Sequence, residues 1–428
     1  MKNKQLIMDV NEKPKLFKWI ILSIQHVFAM FSATILVPIL VNSGAGAEVL
    51  SVPVALFAAG FGTILFLICT KGKSPTFLGS SFAYITPIIA AYMIGGIGAV
   101  FTGIMSVGLI YMLISLIIKM TGNNWINKLL PPIVVGPMIM IIGLSLSSSA
   151  VSQIGLVEGG FDLKNLIIAG VSFLVAVLVS LRAKGFLKII PILSGIAAGY
   201  TLAVVFNMVD FSLLNQAKYF AIPNFKFPFI HYNLNFSAIL TIVPIGIVTL
   251  AEHIGDQKIL SSIIGKDILK DPGLERTLLG DGVATFFSAF MGSSDTTTYG
   301  ENVSVVGMTK VASVWVIGLA AVFSIILAFF SKFIVLFATI PAPILGGISI
   351  LLFGFIASNG IKTLVDNKID FSNMRNIVIA STMLVLGLGG AVLSFTNGNA
   401  IISVSGMSLA AIIGVILNLL LPEERAEA

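Results

Sequence analysis

Charge is scarce in this chain. Only 10% of its 428 residues are Asp, Glu, Lys or Arg, 57% are hydrophobic, and the mean hydropathy is +1.04. Soluble globular domains carry about 25% charged residues, so a chain this poor in charge cannot cover itself with a water-facing surface. Cysteine is nearly absent. Cys69 stands alone, which excludes an intramolecular disulfide and a thiolate metal cluster. Three histidines are little material for a metal centre or a nucleophile–base pair, and no phosphate-cradling loop occurs. These gaps argue against an enzyme and against a bound cofactor.

In their place are long apolar runs, at roughly 17–41, 50–70, 76–93, 95–118, 129–149, 164–181, 187–208, 236–257, 274–291, 293–309, 311–331, 333–357, 376–396 and 398–421. A membrane-spanning helix needs about 20 mostly apolar residues, so the pattern predicts fourteen spans and makes the lipid bilayer the first partner. The first run is too long for a signal-peptide core and lacks a convincing cleavage site, so it is read as a retained helix. Net charge +6 and a pI near 9.3 could suggest nucleic acid in a soluble protein. Here the basic residues fall in loops, and no nucleic-acid partner is expected.

Loop charge tests the count. With a cytoplasmic N-terminus and fourteen spans, 21 Lys and Arg fall inside, including Lys2, Lys4, Lys71, Lys266, Lys310 and Arg425. Four fall outside: Lys164, Lys218, Lys226 and Lys332. The positive-inside rule expects such a bias, and both termini are placed inside.

The two halves resemble each other. Pro132-Ile133-Val134-Val135-Gly136 is echoed by Pro343-Ile344-Leu345-Gly346-Gly347, Gly79-Ser80-Ser81 by Gly292-Ser293-Ser294, and Gln25-His26 by Glu252-His253. The matches set span 1 against 8, 3 against 10 and 5 against 12. A repeat of seven spans is odd, so the second copy enters the membrane from the other side. Such inverted repeats place a binding site near the midplane, where broken helices meet. Spans 3 and 10 are the interrupted ones. The first holds Gly79-Ser80-Ser81 and Pro87, the second Asp295, three threonines, Gly300 and Glu301.

Ionisable residues inside the runs are few: His26, Glu252, His253, Asp256, Asp281, Asp295 and Glu301. A charged side chain at the centre of a spanning helix costs roughly 2.5–3.5 kcal/mol on insertion scales, so such groups usually face a polar interior or a pathway. Glu252 and Asp256 share a helix face. Asp256 reads equally as a cavity residue or, with Lys258 following, as a headgroup residue. Thr296 to Thr298 favour extended backbone, and Gly300-Glu301 then opens a half-helix whose free N–H groups and positive dipole end face the site. His26 reads either as a pathway residue or as a helix–helix contact. His253, turned about 100° from Glu252, is read as structural, and Asp281 as a residue of the cytoplasmic interface. Two midplane carboxyls from opposite repeats suit a flat polar molecule with N–H donors, and they can carry a proton.

At these residues the sequence resembles the nucleobase–ascorbate transporter family, and within it the bacterial uracil permeases. The similar stretches are Gln25-His26-Val27-Phe28-Ala29-Met30-Phe31, Leu78-Gly79-Ser80-Ser81-Phe82-Ala83, Ala251-Glu252-His253-Ile254-Gly255, Lys266-Asp267 with Asp271-Pro272-Gly273-Leu274, and Thr297-Thr298-Tyr299-Gly300-Glu301-Asn302. The resemblance implies an all-α polytopic membrane protein of fourteen segments in two inverted sevens, with segments 3 and 10 broken by short β-strands. It implies a core domain (1–123 and 236–332) and a gate domain (124–235 and 333–428). It further implies import of a nucleobase, uracil first, coupled to protons across the bacterial cytoplasmic membrane, and it suggests a homodimer. Sodium is left open as the coupling ion. Glu252 and Glu301 are expected to hydrogen-bond the base, with backbone contacts at Phe82 and Gly300 and with Ala33, Phe82 and Tyr299 lining the pocket. Glu301, Glu252, Asp256 and His26 are the candidates for proton coupling. A xanthine or urate permease is the alternative, and an anion exchanger or channel of similar fold a more distant one.

The sequence departs from the family pattern at several positions. Ser304 stands at a usual glycine, which puts close helix packing there in doubt. Asp256 replaces a histidine found in some relatives. Phe353 replaces a pocket tyrosine of a close relative. Asp295 stands where proline is common, and its place in the run reads as a solvated position near the outer mouth.

Overall fold

The computed structural model of the chain describes residues 6–227, 234–397 and 400–422. Lys2, Lys4 and Arg425, which entered the loop-charge count, lie outside the described residues. The chain is mainly helical. Among the described residues, seven helices are long and apolar enough to cross a membrane, or eight if the bent pair Val314–Leu327 and Ser331–Ala338, 79° apart, is one span.

This is fewer than the fourteen apolar runs, for physical reasons. One helix, Ile85–Thr121, covers two runs and breaks between them at Gly95 and Gly96. Gly96 has φ +69°, where a side chain would be strained. Pro191–Val205, Met374–Leu388 and Gly406–Leu420 are short apolar helices. The helix Gly300–Thr309 spans only ten residues because a strand precedes it.

One feature departs from the expected fold. The stretch read as the junction of two spanning helices forms an antiparallel hairpin, Val392–Asn397 with Ala400–Ser405, in register Val392↔Ser405. Its β-branched and aromatic residues favour strand, and Asn-Gly between two such stretches is a strong hairpin signal.

Helix packing relies on small residues, as in other membrane proteins. The helices Ile85–Thr121 and Leu274–Phe290 cross closely at Gly108 and Gly282. A Cβ on Gly108 would lie 2.6 Å from the Phe286 nitrogen.

The N-terminal segment is strapped along residues 310–314. Ile7 N–H donates to the Lys310 carbonyl at 2.9 Å, and Met8 and Val10 carbonyls accept from Ala312 and Val314 at 3.0 and 2.9 Å. Val10 is buried in one cluster with Leu260 and Ile264 of the helix Ile245–Ile264 and Val303 and Val306 of the helix Gly300–Thr309. Asp9 pairs with Lys266 at 2.9 Å, and Lys13 stacks over Trp19 and Trp315.

Candidate functional site

Two very short strands hold the centre of the molecule. β1 (Leu78–Gly79) pairs antiparallel with β2 (Thr297–Thr298), Leu78 opposite Thr298 and Gly79 opposite Thr297. Three side chains fasten this ladder. Thr63 Oγ1 accepts from Leu78 N–H at 2.9 Å. Ser294 Oγ donates to Ser80 Oγ at 2.7 Å. Tyr299 O–H donates to the Ser80 carbonyl at 2.9 Å and lies 3.1 Å from Thr34 Oγ1.

Each strand runs into a helix start. After β1 come a tight turn, Phe82–Tyr84, and the helix from Ile85; Ser81 caps the turn by accepting from Ala83 N–H at 3.2 Å. After β2 the helix Gly300–Thr309 begins, with Glu301 in its first turn. The first N–H groups of a helix have no partner within it. Phe82 and Gly300 therefore both stand at helix N-termini on either side of the ladder.

Successive side chains of a strand point to opposite faces, and β2 uses this to reach two helices. Thr298 Oγ1 donates to Asp256 Oδ2 at 3.0 Å, towards the helix Ile245–Ile264. Thr297 Oγ1 points to Asp281 Oδ2 at 3.4 Å, towards the helix Leu274–Phe290. The structure thus brings Glu252, Asp256, Asp281, Asp295 and Glu301 around one ladder. Glu252 lies one turn before Asp256 on the same helix face, and its Oε2 is buried without a partner. Glu301 is itself exposed. Asp256 is half-buried, 3.5 Å from where a Cβ on Gly300 would sit, so the headgroup reading of this residue does not hold.

Two further positions differ from expectation. Asp281 is not at an interface: it is fully buried, with Oδ2 3.1 Å from His253 Nδ1 but not aligned for a hydrogen bond. Leu274–Phe290 carries it a full two turns below the helix start, deeper than its place beside Gly280 suggested. Asp295 is not solvated. It is 1% exposed and accepts from Ser81 N–H at 3.3 Å, because the chain is already inside the fold at Ser294, which bonds Ser80, before β2 begins.

The other candidates sort by geometry. The Tyr299 ring packs over Gly79 in a buried cluster with Ala33, so both side chains sit behind the ladder. His26 is a helix–helix contact: the Asn302 amide donates to its Nδ1 and to its carbonyl, both at 3.1 Å. Phe82 is half-buried, Phe353 is buried in the main core, and Ser304 is exposed with no tight crossing beside it. Sequence reasoning did not single out Thr298, Asn302 or Thr249. Thr249 lies one turn before Glu252 and contacts Tyr84 and Tyr111 hydroxyls at 3.2 and 2.5 Å. Their signal was position alone, three or four residues from an acid or next to one.

Among the described residues, no group of three His, Cys, Asp or Glu could hold a metal ion. A cavity of about 480 Å³ lies elsewhere, walled by Phe28, Phe31, Phe323, Phe330, Phe333 and Phe337. It has no polar group to orient a polar ligand, so the ladder is the better candidate.

Comparison with known proteins shows the family. The model of a permease family, that of the nucleobase–ascorbate transporters, matches residues 17–395. The chain belongs to this family. It is a multi-pass membrane transporter and not an enzyme. The permease is 46% identical to a uracil permease of Bacillus caldolyticus, over 97% of this chain and 95% of that one. It is 44% identical to a uracil permease of Bacillus subtilis, over 100% and 98%, and 39% to one of Escherichia coli, over 96% and 93%. Solved structures show the fold. The transmembrane domain of the cyanobacterial bicarbonate transporter BicA superposes with a TM-score of 0.64 at 12% identity, covering 96% of this chain and 100% of that one. The inward-facing murine anion transporter Slc26a9 gives 0.67 at 12%, covering 96% and 69%.

Proposed function

We propose that the permease imports uracil together with protons. Relatives named as uracil permeases along nearly the whole chain support the substrate. The observation that carries the mechanism is that Glu301 opens its half-helix beside the helix Ile245–Ile264, whose Asp256 bonds Thr298 and shares a face with Glu252. Uracil is flat and neutral, with N–H donors and carbonyl acceptors alternating on its rim. Glu252 and Glu301 accept from its N–H groups. The backbone at Phe82 and Gly300 offers N–H donors to its carbonyls, aided by the positive dipole ends. Ala33, Phe82 and Tyr299 shape the pocket, Ala33 and Tyr299 from behind the ladder.

Acids and neutral base alone leave negative charge in a medium that opposes it. Among the described residues the ion pairs are Lys73–Asp271, Lys266–Asp9 and His253–Asp281, so no Lys or Arg pairs with the site acids. Protons on Glu301 and Glu252, with Asp256 and His26 as further candidates, supply the neutralisation and so couple uptake to the proton gradient. No cofactor takes part, and Na+ is the competing coupling ion. In this reading fourteen segments form two inverted sevens, divided into a core (1–123 and 236–332) that carries both strands and a gate (124–235 and 333–428) that moves against it. The permease sits in the bacterial cytoplasmic membrane as a homodimer with both termini inside.

Reconstituted liposomes with an imposed pH gradient test this. Labelled uracil should accumulate and a protonophore should abolish the accumulation; accumulation that follows a Na+ gradient instead assigns sodium as the ion. Competition by unlabelled xanthine or urate stronger than by uracil would replace the substrate. Bicarbonate or chloride flux without any base dependence would favour the anion-exchanger reading that the fold neighbours raise.

A further inference from the structure

The proposed mechanism does not use two acids of the site: Asp281, which faces His253, and Asp295. Asp295 lies just beyond the ladder, opposite Ser81, and is 1% exposed. Its two oxygens are in different situations. Oδ2 accepts from Ser81 N–H at 3.3 Å, while Oδ1 is buried with no hydrogen-bond partner. The carboxyl stands at the N-terminal end of the turn Phe82–Tyr84 and the helix that follows, where the dipole favours negative charge. On the other side of the ladder, Glu301 occupies the first turn of its own half-helix. Each half-helix start at the site therefore has one carboxyl, Glu301 in its own chain segment and Asp295 reaching across from the partner strand.

The titratable groups around Asp295 are Tyr84 on the segment it caps, Glu252 and Asp281 on the two helices packed against β2, and Tyr299 at the end of β2, with Tyr111 beyond Tyr84. His253 is engaged with Asp281. None of the ion pairs among the described residues includes Asp295. A buried carboxylate facing further acids, with one oxygen bare, is held against both burial and like charge. A proton on Oδ1 relieves both, and Oδ2 can keep its bond to Ser81 in either state.

We infer that Asp295 is a second proton-carrying carboxyl of the transport cycle, loaded and unloaded at Oδ1 while Oδ2 stays anchored to Ser81. The step is a plain protonation: Oδ1 takes a proton from water on the side where the base enters, and gives it to water on the side where the base leaves. No other bond forms or breaks. Because the anchored residue precedes Phe82, the charge on Asp295 is transmitted to the backbone expected to meet the base. The inference rests on the proton-coupled reading above and adds a carrier to it.

The test is the proton-to-base ratio of the full chain in liposomes, from simultaneous pH-dye and labelled-uracil measurements, with uracil affinity followed against pH. Asp295→Asn keeps an oxygen acceptor for Ser81 N–H but cannot titrate. It should bind uracil yet carry fewer protons per base, with a flatter pH dependence of affinity. Asp295→Glu keeps a titrating carboxyl and should restore the proton ratio and a steep pH dependence, with the profile displaced along the pH axis. If Asp295→Asn assembles poorly, a pH profile of Asp295→Glu displaced from that of the unchanged chain supports the inference, and a superimposable one overturns it. A proton ratio and pH profile in Asp295→Asn equal to those of the unchanged chain would leave Asp295 as a helix cap only. Base uptake without proton movement in the unchanged chain would overturn the coupling reading itself, and this inference with it.

Discussion

The ring of Tyr299 occupies the space that a side chain at Gly79 would need: a Cβ there would lie 2.4 Å from the ring. The same tyrosine donates to the Ser80 carbonyl next door, so ring and strand are locked by contact and by hydrogen bond. Gly79→Ala must push the ring or the strand aside. Overpacking of this kind costs about 1–3 kcal/mol. The variant should lose thermal stability in detergent and lose uptake, whereas Tyr299→Phe, which keeps the ring, should cost only about 1 kcal/mol for the lost hydrogen bond. Melting followed by size-exclusion chromatography compares the two.

Glu252 and Glu301 are predicted to hold the base directly. Glu252→Gln and Glu301→Gln should each weaken uracil binding by roughly 2–12-fold, the net worth of one hydrogen bond. Both should still insert and run as the unchanged chain does. Calorimetric titration with uracil measures the loss, and near-normal binding in both variants would falsify the two-carboxylate site.

His253 and Asp281 form a fully buried pair. Removing one partner strands a buried polar group of the other, which typically destabilises by about 1–3 kcal/mol. His253→Ala should therefore melt below the unchanged chain. Joining it to Asp281→Asn should cost less than the two single losses added together, because the partners face only each other. A double variant whose loss equals the two single losses added together would show that the two residues act separately.

The N-terminal strap gives a prediction in pH. The Lys266 ammonium beside Asp9 holds that carboxyl below the usual carboxylate range, through their hydrogen bond first and the Val10 N–H second. A lowered folded-state pKa means that the contact stabilises above the ordinary Asp range and fades as pH falls through the folded value. Both side chains are more than half exposed, so the gain is at most about 1 kcal/mol and is screened by salt. Asp9→Asn should leave protease resistance of residues 7–14 nearly unchanged. Val10→Asp, which puts a carboxyl among Leu260, Val303 and Val306, should release the strap. Timed proteolysis of the two variants at neutral and acid pH separates the contributions.

How much could be read from the sequence follows from what each signal measures. Hydropathy marks how apolar a stretch is, so the long helices and the two interrupted segments were legible. The three consecutive threonines announced β2, and Gly300-Glu301 announced the helix after it. Depth was less legible. Asp295 sits near the start of its apolar run, which in a simple spanning helix means near water, but here that end of the interrupted segment lies inside the fold beside Ser81. Asp281 sits mid-run, and its flanking glycines suggested a helix start where the structure has a buried position two turns inside a helix. The hairpin Val392–Asn397 with Ala400–Ser405 was hidden for a related reason. A hydropathy window cannot tell an apolar strand from an apolar helix, and only the Asn-Gly pair carried the difference.

The ladder between β1 and β2 has a consequence for synthesis. Ser80 and Tyr299, which it brings together, are 219 residues apart. At about 5–20 residues per second, the ribosome needs roughly 10–45 s to reach the second strand after finishing the first. During that interval β1 is already in or near the bilayer with its hydrogen-bonding edge open and without a partner, where unpaired backbone is penalised severely. The first half of the chain must therefore either wait outside the apolar layer or rest on borrowed partners until Thr297 and Thr298 arrive, and a translational pause placed between the two strands would lengthen the one period in which this protein is most exposed to misassembly.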